Sequence, residues 1–119
     1  MKIKEVYIQK IKETITFIIG TNALENFDII DAANENDLWF HVHEKPSCHV
    51  IASIPDFEKY NRNEIAYIAK QGACVCKEYS KYASQKNLPI IYSKVKDIVK
   101  SDENIGTVFT NANAKLIYI

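Results

Sequence analysis

The chain has 119 residues, of which 47% are hydrophobic, and its formal net charge is zero. This length predicts one domain with one core, residues 1–119, and the balanced charge argues against a protein that binds nucleic acid over its whole surface. No stretch approaches the roughly 18 apolar residues of a membrane helix, and the charged N-terminus is unlike a signal peptide. The three cysteines do not have the spacing of a disulfide framework, which indicates reduced thiols. We therefore expect a cytoplasmic protein that does not contact membranes.

The charges are unevenly distributed along the chain. Residues 20–56 contain seven acidic residues and one lysine, whereas residues 57–100 contain nine basic residues and four acidic ones. This asymmetry is compatible with one basic face that contacts phosphates, and equally with a mixed, solvated surface.

The first third of the chain predicts a hairpin and a short helix. Residues 2–19 alternate between apolar and polar side chains in two segments, with the turn expected at Lys12-Glu13. Gly20 ends the second strand. Asn22 then has Glu25 three residues on, which is the spacing of a helix cap, and a short helix is expected over residues 24–33.

Residues 38–53 form the clearest pattern of the sequence, a central β-hairpin. Residues 38–43 alternate, which places Leu38, Phe40 and Val42 on one face and the only tryptophan, Trp39, with two histidines on the other. Residues 44–47 are a polar turn that includes a proline, and a return strand follows. Because tryptophan and histidine are unusual on a plain solvated face, we place the candidate site there.

The one long helix is expected over residues 62–84. Asn61 and Glu64 again have cap spacing. At about 100° per residue, one face of this helix is apolar, and the opposite face contains a narrow stripe formed by Lys70, Lys77 and Lys81. A solvated outer face explains such a stripe, and so does a row of phosphate contacts.

The last third predicts strands. Residues 90–92 form a short strand, residues 93–100 are either its continuation or a helical turn, and residues 106–110 and 115–119 form a closing hairpin. Consecutive hairpins with one long amphipathic helix and one short helix predict an α+β fold with a largely antiparallel sheet. Exposed edge strands at residues 2–9 or 115–119 would allow a homodimer.

Three kinds of site fit the hairpin face. His41 and His43 lie two apart on one strand and, with His49, contain the ligands of a zinc site, although no fourth ligand is evident. A catalytic scheme of nucleophile and base can be written with Asp37, His41, Ser47, Cys48 and His49, but no motif fixes its geometry. The third is a nucleic-acid platform, in which the Trp39 ring stacks on a base and lysines contact phosphates. A buried tryptophan with a satisfied ring nitrogen is the structural alternative.

These residues resemble a known family. Residues 37–41 and 46–50 are similar to the Asp-(Ile/Leu)-Trp-(Phe/Leu/Met)-His and Pro-Gly-Ser-His-Val signature of the NFACT-R domain. Residues 20–26 resemble its Gly-Arg-Asn-Ala-x-(Gln/Glu)-Asn segment, and residues 78–81 resemble its helix end. Residues 92–100 are similar to a later strand of the family, and residues 106–108 to the turn into its last hairpin. The resemblance covers roughly residues 15–119. The chain departs from the pattern at four positions, where Thr21 replaces Arg, Ser47 replaces Gly, Cys48 replaces Ser and Ile105 replaces Pro.

The resemblance implies a stand-alone, non-catalytic RNA-binding module without cofactor or metal. Its expected partners are tRNA or rRNA on the large ribosomal subunit, in ribosome quality control during translation. The alternatives are a protein–protein adaptor that docks through residues 37–50, DNA binding, or the histidine metal site. The nucleic-acid-binding residues that follow from the resemblance and from the lysine stripe are Asn22, Asn26, Asp37, Trp39, His41, Ser47, His49, Lys70, Lys77 and Lys81.

Overall fold

A six-stranded antiparallel sheet forms the centre of the molecule. The computed structural model describes all residues, 1–119. The elements in chain order are β1 (Lys2–Ile8), β2 (Glu13–Gly20), α1 (Ala23–Ala32), β3 (Leu38–Val42), β4 (His49–Ser53), α2 (Arg62–Glu78), β5 (Pro89–Lys94), β6 (Val99–Lys100), β7 (Val108–Phe109) and β8 (Lys115–Tyr118). The strand order is β1-β2-β4-β3-β5-β8, every pairing is antiparallel, and β6 and β7 form a separate two-stranded sheet. The predicted α+β class is confirmed.

Each face of the sheet packs against one helix. α2 covers the face from which Leu38, Phe40 and Val42 project into the main core, as the alternation of β3 predicts. The opposite face packs Trp39 and Ile51 against α1. The sheet is therefore buried on both sides near its centre.

The predicted capping residues form their hydrogen bonds at the start of both helices. The Asn22 side chain accepts a hydrogen bond from the backbone N–H of Glu25 (2.9 Å) at the start of α1. Asn61 and Glu64 form a complete capping box at the start of α2, in which each side chain accepts from the other residue's backbone N–H. These bonds satisfy helix donors that have no partner within the helix.

Two predicted boundaries were wrong. The β1–β2 turn comprises residues 9–12, and Glu13 pairs with Ile8 as the first residue of β2. α2 ends at Glu78, because the Ser80 hydroxyl and backbone N–H both bond the carbonyl of Lys77 and end the helical ladder. Lys81 therefore lies outside the helix, and the predicted stripe of three lysines on one helix face does not exist.

The predicted closing hairpin is also wrong. β7 pairs with β6, whereas β8 pairs with β5 at the edge of the main sheet. β1 and β8 are the two outer strands, as predicted, and dimerisation through either of them stays a prediction. Neither helix combines the length and apolarity that a membrane span requires.

Candidate nucleic-acid interface

A groove of about 910 Å³ opens beside the central hairpin. It is bounded by the end of β2 and start of α1, by the β3–β4 hairpin, by the segment that follows α2, and by the loop that contains β7. Seven of the ten residues predicted from sequence line it: Asn22, Asn26, Trp39, His41, Ser47, His49 and Lys81. Residues that are up to 59 positions apart in the chain thus meet at one concavity.

Three aromatic rings form the floor of the groove. The Trp39 indole N–H donates to Nδ1 of His49 (3.0 Å). The His41 ring stacks on Trp39 at 5.8 Å between centroids and meets the edge of His49 at 4.8 Å. Because Trp39 is only 2% exposed, its ring has no free face for an incoming base, and the prediction of an open tryptophan platform is wrong. Trp39 instead packs against the rings of His41 and His49.

Burial keeps both floor histidines neutral. The pKa of His49 is lowered to about 3, mainly by desolvation and to a smaller extent by electrostatic repulsion from His41. Burial also lowers the pKa of His41, with a smaller contribution from His43. A buried imidazolium would lose its hydration without gaining a counter-ion, so the floor carries no charge at neutral pH.

Asn26 joins α1 to the hairpin. Its Oδ1 accepts the backbone N–H of His49 (3.3 Å), and the side chain is 7% exposed. Gly20 makes this approach possible, because a Cβ at that position would lie 2.3 Å from the Asn26 Oδ1. Asn26 therefore positions the histidine-bearing strand and contributes only its edge to the groove.

Ser47 closes the hairpin turn. Its Oγ accepts the backbone N–H of Val42 (3.1 Å) and donates to the carbonyl of Cys48 (2.9 Å). The left-handed residue of this turn is Glu44, with φ of 60°, so the serine at position 47 needs no conformation reserved for glycine.

Lysines surround the mouth of the groove. Lys2, Lys45 and Lys81 line it, while the only acidic lining residue, Glu44, lies 3.3 Å from Nε2 of His43. Lys45 packs over the Tyr82 ring with its ammonium 4.8 Å from the centroid. Lys81 is exposed and belongs to none of the ion pairs of the molecule. The rim is thus positive above a neutral floor.

Three predicted residues lie outside the groove. Lys70 is exposed on α2, and the Lys77 ammonium donates to the backbone carbonyl of Ile119 (2.9 Å). Asp37, at the far end of β3, accepts the backbone N–H groups of Asn34 and Ile54 (both 2.9 Å). Asp37 therefore fixes the entry to the hairpin and lies outside the groove, although it was predicted among the nucleic-acid-binding residues.

Sequence reasoning missed two parts of the groove. Lys2 reaches it because β1 pairs with β2 and so brings the N-terminus beside Gly20. The β7 loop reaches it because Gly106, at φ of +89°, packs against Ala23 at the start of α1. Both contacts depend on long-range pairing. The one local signal was Lys45, which lies in the turn between predicted site residues.

The metal and catalytic alternatives find little geometric support. His41 and His49 meet, but His43 lies beside Glu44, and no three His, Cys, Asp or Glu side chains are grouped in a way that would hold a metal ion. The Ser47 hydroxyl donates to a backbone carbonyl and not to a histidine.

Comparisons with known proteins identify the family and the fold. The family model described as "NFACT protein RNA binding domain" matches residues 5–111. Among solved structures, the chain is similar to the C-terminal part of the fibronectin/fibrinogen-binding protein from Streptococcus suis, with a TM-score of 0.77 and 19% identity. That match covers 100% of this chain and 45% of the other, so the chain spans less than half of that protein's structure. No curated protein sequence matches.

Proposed function

Since the family model matches residues 5–111, this chain belongs to the NFACT RNA-binding domain family, and we propose that its groove is the RNA-binding surface. The observation that carries the proposal is the convergence of seven predicted residues on one concavity with a lysine rim. The chain acts by binding, without cofactor or metal.

The rim lysines are suited to phosphates. RNA presents a regular series of negative charges, and each lysine that contacts a phosphate releases counterions, which makes affinity fall with salt. Lys81 is the best placed of the three, because it is exposed and belongs to no ion pair, whereas the ammonium groups of Lys2 and Lys45 already lie over tyrosine rings. Lys2 and Lys45 are exposed residues that line the same groove.

The RNA that we propose is tRNA or a structured rRNA of the large ribosomal subunit, and the process is ribosome quality control in the cytoplasm. These finer assignments rest on the resemblance of residues 37–41 and 46–50 to the family signature. The match covers 45% of the solved relative's chain, so the activity of that longer chain is not part of this proposal.

The test is fluorescence anisotropy with labelled tRNA and a matched DNA duplex across a salt series. We expect tRNA to bind more tightly than DNA, with log K falling linearly with log salt. The variant Lys81→Glu removes about one phosphate contact, so its salt slope is expected to be smaller by about one. The matched control is Lys10→Glu, an equal charge change in the turn at the far end of the β1–β2 hairpin.

Three outcomes would change the conclusion. Equal effects of Lys10→Glu and Lys81→Glu would place the phosphate contacts elsewhere. Tighter binding to the DNA duplex would favour the DNA-binding alternative. No binding to either nucleic acid would leave the adaptor function, and a protein partner would then be sought for the hairpin face.

A further inference from the structure

The Nε2 of His49 is a hydrogen-bond donor without a partner in the protein. The indole N–H of Trp39 can only donate, so Nδ1 of His49 is the acceptor and the neutral ring carries its proton on Nε2. This is the only side-chain hydrogen bond of His49, whose exposed fraction is 2%. Ser93 Oγ is the only fully buried polar side-chain atom without a partner, so the Nε2 of His49, a lining residue, remains open to the groove.

The surroundings of this donor suit a flat, uncharged ligand. The His41 ring stands at 82° to His49, and Ile91 and Val108 line the same part of the groove. A phosphate would find no cation at this depth, because the lysines are at the rim and both histidines are neutral. A nucleobase supplies the acceptor that the Nε2–H of His49 lacks, because its ring nitrogens and carbonyl oxygens accept hydrogen bonds. Its faces are apolar and suit the apolar residues of the groove.

We infer that the groove floor takes one unpaired nucleobase of the bound RNA, which accepts a hydrogen bond from Nε2–H of His49 while its flanking phosphates contact the rim lysines. This inference rests on the proposed RNA binding and adds what part of the RNA is recognised. A paired base has its edge occupied and is stacked within the helix, whereas bases in loops and bulges can be turned outward. The volume of about 910 Å³ falls within the range of about 300–1,000 Å³ typical of small-ligand sites.

The experiment compares three labelled RNA hairpins with one stem sequence. The first is fully paired, the second has a one-nucleotide bulge, and the third has an abasic residue in the bulge. We expect the bulged hairpin to bind at least about fivefold more tightly than the other two, from the contacts of one base. Trp39 is the only tryptophan and touches both floor histidines, so its fluorescence should change with the bulged hairpin alone.

Two variants link this preference to the floor. His49→Phe keeps an aromatic ring but removes the donor, and we expect the ratio of bulged to abasic affinity to approach one. His41→Ala removes the half-buried neighbouring ring and leaves the Trp39–His49 hydrogen bond in place. If His49→Phe does not fold, His41→Ala replaces it in the same comparison of bulged and abasic affinity. The fully paired hairpin is the internal reference, because it presents no unpaired base, and in each variant we expect the bulged hairpin to lose more affinity than the paired one.

The outcomes separate this inference from the proposed function. Equal, salt-dependent binding of all three hairpins would overturn the unpaired-base inference and leave RNA binding intact. No binding of any hairpin or of tRNA would overturn both. A free nucleoside monophosphate that bound as tightly as the bulged hairpin, and displaced it, would show a site for a mononucleotide and would overturn the assignment to RNA.

Discussion

Acidification from pH 7 to pH 5 should destabilise the fold through His49. An unfolded histidine has a pKa near 6.5, whereas burial lowers the folded value to about 3. Between these values the unfolded chain binds the extra proton, so the free energy of unfolding falls as pH falls. Integrated from pH 7 to pH 5, one such group costs about 2 kcal/mol. The lowered pKa of His41 acts in the same direction.

The assay is urea unfolding at both pH values, followed by circular dichroism and by Trp39 fluorescence. His49→Asn is the comparison variant, since its side-chain oxygen can still accept from the indole but does not titrate. The carboxyls of Glu13 and Glu25, whose pKa values are lowered from 4.5, lose their stabilising contribution only at more acidic pH. Equal stability of the unmodified chain at pH 7 and pH 5, or an equal loss in His49→Asn, would refute the reasoning.

Three further predictions concern packing and charge. Gly72→Ala would place a Cβ 2.2 Å from Cζ of the fully buried Phe40, so we expect a loss of at least about 1–3 kcal/mol in urea unfolding, and unchanged stability would contradict this packing. Asp37→Ala leaves two backbone N–H groups without their acceptor and should cost about 2–4 kcal/mol, with Asp37→Asn intermediate. The double variant Lys70→Glu, Lys77→Glu should reduce the salt slope of tRNA binding by less than the single variant Lys81→Glu does. A larger reduction in the double variant would indicate that RNA binds on α2 and not in the groove.

Local patterns predicted the elements that depend on neighbouring residues. Alternation over residues 38–53 gave the central hairpin and its core face, and cap spacing at Asn22 and Asn61 gave both helix starts. These features are set within a few residues of the chain, where side-chain direction and backbone hydrogen bonding are directly linked.

Features set by long-range contacts were not predictable in this way. Trp39 is covered because α1 folds over its face of the sheet, which the alternation of β3 cannot reveal. β7 and β8 are close in sequence, yet they pair with different strands. α2 ends at Tyr79 and Ser80 without glycine or proline, so the sequence contains no clear stop signal, and Lys81 was assigned to the helix instead of to the groove.

The most direct test of the account is a ¹H–¹⁵N correlation spectrum recorded during titration with tRNA. We predict that the largest shifts fall on residues that line the groove, among them the Trp39 indole N–H, the backbone of His49 and the segment around Lys81. Shifts concentrated on the outer face of α2 around Lys70, or on the edge strands β1 and β8, would contradict the groove as the RNA-binding surface.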